Sequence, residues 1–188
     1  MTPFQTSLKN ALETFKALGE HEASVLEAAA LLEKSFLAGH KLLICGNGGS
    51  ASDAAHISTE FVCRFKDDRR PYPALALNSD AGLLTAISND YAYQEAFARQ
   101  VRAFGQKGDV LVVISTSGKS RNLLDAIEEA RRSGVHTIAL LGRQGGFTKG
   151  AADIEIIVDG VETARIQEAQ KFILHVICEL LEERLPKE

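Results

Sequence analysis

Six residues, Ser115-Thr116-Ser117-Gly118-Lys119-Ser120, end an apolar run over 110–114 and lead straight into a helical pattern over 122–132. A strand feeding a helix through small polar residues gathers backbone N–H groups and hydroxyls at one point. The helix dipole adds positive potential there, so the junction suits a phosphate. Ser and Thr are also ordinary helix caps, but a cap uses one hydroxyl and this loop has four.

A second junction has the same form. The apolar run 41–45 is followed by Gly46-Asn47-Gly48-Gly49-Ser50, and a helical pattern begins at Ala51. Three glycines in five residues make a loop able to wrap an oxyanion. The spelling Gly46-x-Gly48-x-x-Ala51 also fits the dinucleotide fingerprint, which wants an acidic residue about 20 positions on, at the end of the next strand. The next strand pattern instead ends at Leu77-Asn78-Ser79-Asp80, rather far away. Two such loops fit one sugar phosphate held from two sides at least as well as they fit NAD.

The helix after the glycine loop carries Asp53, His56 and Glu60 on one face. His56 and Glu60 are one turn apart, a spacing that lets both reach one metal ion, although such pairs are common on helix surfaces. A long final helical pattern, 164–183, has a wide apolar face of Ile166, Ala169, Phe172, Ile173, Val176, Ile177, Leu180 and Leu181. Within it lie Gln167 and His175, two turns apart and nearly on one face. A histidine between Leu174 and Val176 reads first as a core residue with one hydrogen-bond partner. It becomes a ligand candidate once another His/Glu pair needs partners.

These residues need a scaffold, and strand and helix signals alternate to supply one. Short apolar runs at 41–45, 74–77, 110–115, 137–141 and 154–158 read as parallel strands buried on both faces. Helical patterns lie at 51–65, 91–104 and 122–132, with a short piece near 147–151. Two more, at 4–18 and 23–37, precede the first strand. The pattern predicts one α/β domain: a three-layer αβα core over 39–188 around a parallel sheet of about five strands, with an N-terminal helical extension over 1–38. Sites in such sheets lie at the C-terminal ends of the strands, where both loops fall. Phe4, Leu8, Leu12, Phe15 and Leu18 form a stripe on the first helix, to be buried within the chain or between chains.

With 188 residues, one domain can bury a substantial core. A charged fraction of 24% reads as soluble and globular, and a net charge of −4 argues against a nucleic-acid surface. Cys45, Cys63 and Cys178 show no CxxC spacing, so neither a thiolate zinc cluster nor a disulfide framework is implied, and free cysteines suit a reducing compartment. No stretch approaches the ~20 apolar residues of a membrane span, and the N-terminus lacks a signal-peptide pattern. The expected location is the cytoplasm.

Taken together, Cys45-Gly46-Asn47-Gly48-Gly49-Ser50, His56-x-x-x-Glu60, Ile114 through Ser120, and Arg165-Ile166-Gln167-Glu168 with His175 two turns later resemble the phosphoheptose isomerases. These are sedoheptulose 7-phosphate isomerases of bacterial heptose biosynthesis, a flavodoxin-like branch of the sugar isomerase (SIS) fold. The serine loop alone marks only a SIS domain. The specific part is His56, Glu60, Gln167 and His175, which match the family's zinc ligands in type and spacing.

The resemblance implies one zinc ion per subunit, a sugar-phosphate substrate and a homotetramer with sites at subunit contacts. It implies that Asn47, Gly48, Gly49 and Ser50 form a first substrate loop. Ser115, Thr116, Ser117 and Ser120 would cradle the phosphate, Asn89 and Asp90 would contact the sugar, and Gln167 would touch both metal and substrate. Glu60 and His175 are the implied proton-transfer groups. Some members carry Asp directly before the Arg-Ile-Gln-Glu tetrad, where this chain has Ala164, which weakens any role for that position. Related non-catalytic SIS proteins bind the replication initiator and share the Cys-Gly-Asn-Gly opening and the tetrad, but lack the His/Glu/His set. A nucleotide-binding dehydrogenase half-domain rests on the glycine spelling alone.

Overall fold

The computed structural model describes all residues, 1–188. The chain begins with α1 (Pro3–Ala17) and α2 (Glu22–Leu37). It continues through β1 (Leu42–Gly46), α3 (Gly49–Val62), β2 (Ala74–Ala76), α4 (Ala81–Asp90), α5 (Ala98–Phe104) and β3 (Val110–Ser115). It closes with α6 (Arg121–Arg132), β4 (His136–Gly142), β5 (Ile154–Val158) and α7 (Thr163–Arg184).

The five apolar runs are the five strands. All pair in parallel, in the order β2-β1-β3-β4-β5. Helices cover both faces, so β1 and β3 are buried along their whole length. On one face α2, α3 and α7 pack Leu32, Phe36, Ile57, Phe61, Ile173 and Ile177 against the sheet. On the other, α5 and α6 bring Val101, Leu123 and Ile127. Burying each such side chain contributes about 1.5–3 kcal/mol before entropy is counted. The architecture is the αβα sandwich that the alternating pattern predicts.

Local chemistry explains most boundaries. Thr2 and Gln5 form a reciprocal capping box at the start of α1, with Pro3 in the first turn. The region 78–104 departs from expectation. The pattern predicts one helix over 91–104, but the chain forms α4 over Ala81–Asp90, a short 3-10 turn over Tyr93–Glu95, and α5 from Ala98. The Asp80 carboxylate accepts the Leu83 N–H at 2.9 Å and starts α4. Ala92 is extended, and that break carries the Tyr93 hydroxyl to Asn47. A tertiary contact overrides the helical periodicity there. The short piece expected near 147–151 is a single 3-10 turn, Gly146–Thr148.

α1 lies on α7 through Phe15 and Phe172, whose ring centroids are 5.4 Å apart. The rest of its apolar stripe stays uncovered in the single chain: Phe4 is 75% and Leu12 64% exposed. Phe15, Leu18, Val25, Leu26, Phe172 and Leu180 line an apolar groove of about 360 Å³ between α1, α2 and α7. The apolar face of α7 is therefore incompletely buried, since Phe172 is half exposed at that groove. No helix is long and apolar enough to cross a membrane.

Candidate functional site

The strand order reverses between β1 and β3, and ligands of open α/β sheets bind at that switch point. The glycine loop leaves β1 and the serine loop leaves β3, so adjacent strands deliver both loops to one crevice.

The serine loop is pinned from below and open above. The Ser115 hydroxyl accepts the Gly118 N–H at 3.0 Å, and the Ser117 hydroxyl accepts the Lys119 N–H at 3.2 Å. Gly118 has φ +62°, and a Cβ there would lie 1.9 Å from the Gly145 carbonyl oxygen, so only glycine fits. Gln170, fully buried on α7, donates its amide to the Ser115 and Leu140 carbonyls at 3.2 and 3.1 Å. Ser120 holds the N-cap position of α6, yet its side chain caps nothing. The Ser115 and Ser117 hydroxyls thus serve the loop's own N–H groups, and the Ser120 hydroxyl does not cap α6. A polar hollow of about 490 Å³ opens beside the loop, with Ser117, Lys119, Arg143 and Gln144 on its wall.

The glycine loop is fastened to the same region. Asn47 and Asn122 exchange side-chain amide hydrogen bonds, both 3.0 Å, and the Tyr93 hydroxyl donates to Asn47 Oδ1 at 2.7 Å. Gly48 has φ +57° and precedes α3. At Gly49 a Cβ would sit 2.5 Å from the Gln167 amide, so this glycine lets α7 approach the loop. Ser50 is buried beneath Gly46.

α3 and α7 then bring the remaining polar residues together. His56 Nε2 lies 2.8 Å from Glu60 Oε1. The rings of His56 and His175 meet edge to face with centroids 5.2 Å apart, and Phe65 covers His175 at 6.0 Å. Gln167 donates its amide nitrogen to Asp53 at 2.8 Å, and Lys171 Nζ reaches the other Asp53 oxygen at 2.7 Å. Asp53 is almost completely buried. All four expected ligands thus border one seam between two helices. In the single chain no three His, Cys, Asp or Glu residues already form a metal cluster. The two buried cysteines are held as thiols: burial pushes the Cys45 thiol far up, and burial with the Glu60 charge pushes Cys178 up to about 12.

Two expected residues stand apart. Asn89 and Asp90 end α4, exposed and hydrogen-bonded to each other at 2.8 Å, and neither bonds to the two loops within this chain. Residues without a role in the sequence reading also contact the expected ones: Tyr93 and Asn122 bond to Asn47, and Lys171 pairs with Asp53, which holds Gln167. Asn122 offers one signal in the sequence, an amide in the first turn of the helix that follows the serine loop; its burial is a finding of the structure.

The SIS domain family matches residues 4–142. Phosphoheptose isomerase from Citrifermentans bemidjiense is 47% identical over 98% of this chain and 97% of its own length. The solved phosphoheptose isomerase of Francisella tularensis superposes with a TM-score of 0.88 at 37% identity, covering 96% of this chain and 94% of that one. The corresponding structure from Neisseria gonorrhoeae gives 0.84 at 38% identity, covering 96% and 95%.

Proposed function

This chain belongs to the SIS-domain family and, within it, to the phosphoheptose isomerases; on that premise we propose how its site interconverts sedoheptulose 7-phosphate and D-glycero-D-manno-heptose 7-phosphate. The observation that carries the proposal is the seam where His56 and Glu60 on α3 meet Gln167 and His175 on α7.

The phosphate binds at the serine loop, where Ser115, Thr116, Ser117 and Ser120 surround the α6 N-terminus. Holding that end supplies binding energy that orients the distant carbonyl end. Asn47, Gly48, Gly49 and Ser50 form the opposite wall. Moving the carbonyl from C2 to C1 takes a proton from C1, returns one to C2, and transfers a third between the two oxygens. Glu60 and His175 carry these transfers. His56 Nε2 lies against Glu60 Oε1, so these two donors already stand side by side.

The donor set fits one zinc ion per subunit: two imidazoles, a carboxylate and an amide oxygen are the nitrogen and oxygen donors zinc accepts. Asp53 takes the amide nitrogen of Gln167, so the amide oxygen is the atom left to bind. Zinc, when bound, supplies Lewis acidity for negative charge developing on substrate oxygen. The test is metal content. The purified protein should hold about one zinc per chain, as one set of donors binds one ion. His56→Ala and His175→Ala should both lose it while keeping their circular dichroism; full occupancy in both would remove the assignment.

We further propose a cytoplasmic homotetramer, supported by the uncovered stripe on α1 and the apolar groove beside it. Asn89 and Asp90 reach substrate in such an assembly if a subunit contact completes the site. The non-catalytic alternative is set aside because the chain keeps the His/Glu/His set and its relatives are isomerases.

A further inference from the structure

Arg69 and Glu182 form an ion pair at 2.9 Å whose side chains are only 3% and 6% exposed. Removing two charges from water is costly, and a plain apolar contact would stabilise the fold as well or better. The pair therefore calls for an explanation beyond stability, and its hydrogen bonds provide one.

Arg69 Nη1 donates to the Phe61 carbonyl at 2.9 Å and to the Arg70 carbonyl at 3.1 Å, and Nη2 donates to the Glu60 carbonyl. Glu60 and Phe61 lie in the last turn of α3, where carbonyls have no partner within the helix. Arg69 supplies the donor for the Glu60 carbonyl and joins the Tyr72 N–H, at 3.0 Å, on the Phe61 carbonyl. On the other side, Glu182 Oε2 accepts from Arg69 Nε, and Oε1 accepts the backbone N–H groups of Asp67 and Lys66 at 2.8 and 3.3 Å. Glu182 stands two helical turns beyond His175 on α7. One planar fork thus joins the backbone of Glu60 to the helix that carries His175 and Gln167.

We propose that the Arg69–Glu182 pair is a clamp that sets the spacing between the two ligand-bearing helices, so that both residues position Glu60 and His175 without touching substrate. The inference rests on the reaction and zinc site proposed above. A lysine cannot replace the arginine, because a single ammonium cannot serve two α3 carbonyls and a carboxylate in one plane. A different pair serves as the comparison: Arg102 and Glu129 bond bidentately at 3.1 and 2.7 Å between α5 and α6, away from the ligands, whereas Arg69 gives Glu182 one hydrogen bond and spends its other donors on backbone carbonyls.

The experiment compares the full-length protein with Arg69→Lys, Glu182→Gln and, as control, Arg102→Lys. Zinc affinity is read by competition with a chromophoric chelator, ligand geometry by the visible spectrum of the cobalt-substituted protein, and catalysis by kcat and KM separately. Arg69→Lys should weaken zinc about 10–100-fold, the usual effect of losing an outer partner of a ligand. It should also alter the cobalt spectrum and lower kcat with little change in KM. Arg102→Lys should lower Tm and leave affinity, spectrum and kcat as in the wild type.

Wild-type affinity, spectrum and kcat in a folded Arg69→Lys would overturn the clamp. If Arg69→Lys does not fold, Glu182→Gln, which preserves shape, decides by the same readouts. Failure of both to fold would also overturn it, in favour of a purely structural staple. If the wild type binds neither zinc nor cobalt, the metal reading has failed on its own. The clamp is then judged by kcat, and an unchanged kcat in both variants overturns it.

Discussion

Ser120 shows most directly how a residue type becomes a site. A serine at a helix N-cap normally spends its hydroxyl on the helix, and replacing such a cap costs about 1 kcal/mol. Here the hydroxyl caps nothing, so Ser120→Ala should leave Tm nearly unchanged while weakening phosphate binding. A hydrogen bond to a charged group contributes about 1.5–3 kcal/mol, so KM for the sugar phosphate should rise roughly tenfold or more. Steady-state kinetics beside a thermal melt check this; a lowered Tm with unchanged KM would make Ser120 a cap after all. The same logic applies to Gln167. Its type, a neutral amide amid apolar neighbours, was visible in sequence, but its orientation is set by Asp53, which lies 114 positions away.

At the scale of elements, two carboxylates tie helices together and tune acid stability. The Arg102 hydrogen bond holds the Glu129 carboxyl below its ordinary value of 4.5 despite burial. Burial pushes Glu182 up, but the Arg69 hydrogen bond and two backbone N–H groups outweigh it, so this carboxyl too lies below 4.5. A carboxyl depressed by folding contributes stability that is fully present above its unfolded value and drains as pH falls through the folded one. Melting temperature should therefore be flat down to about pH 5 and then decline, and Glu129→Gln should decline less steeply than wild type. An equal slope in the variant would exclude Glu129 from the acid transition.

The five strands were legible because buried parallel strands are nearly continuous apolar runs, and both loops were legible because glycines and serines follow such runs directly. Region 78–104 was not. Its break at Ala92 depends on Tyr93 bonding to Asn47, a contact between residues 46 positions apart that leaves no periodic trace. The start of α4 could have been found, since Asp80 followed by Leu83, Leu84 and Ile87 is a cap with an apolar face. The meeting of His56 with His175 was accessible through family resemblance; spacing alone supported each half and said nothing of their contact.

For the whole molecule, the exposed stripe on α1 is the feature a lone chain does not explain. For the proposed tetramer, a closed dimer of dimers, light scattering should give about four times the 20.3 kDa chain mass. Mixing inactive Glu60→Gln and Ser117→Ala chains after mild dissociation should restore part of the activity if one site draws these residues from different subunits. No recovery would place both on one chain, and an active monomer would end the oligomer proposal.

The central claim is that this chain moves a carbonyl between C2 and C1 of a heptulose phosphate with the help of a bound metal. The most direct test incubates the purified protein with sedoheptulose 7-phosphate, without chelator, with chelator, and with chelator followed by excess zinc. An aldose heptose 7-phosphate should appear in the first sample, vanish in the second and return in the third. Undiminished aldose formation by protein shown to be metal-free would contradict the metal's role, and no aldose in any zinc-loaded sample would contradict the activity itself.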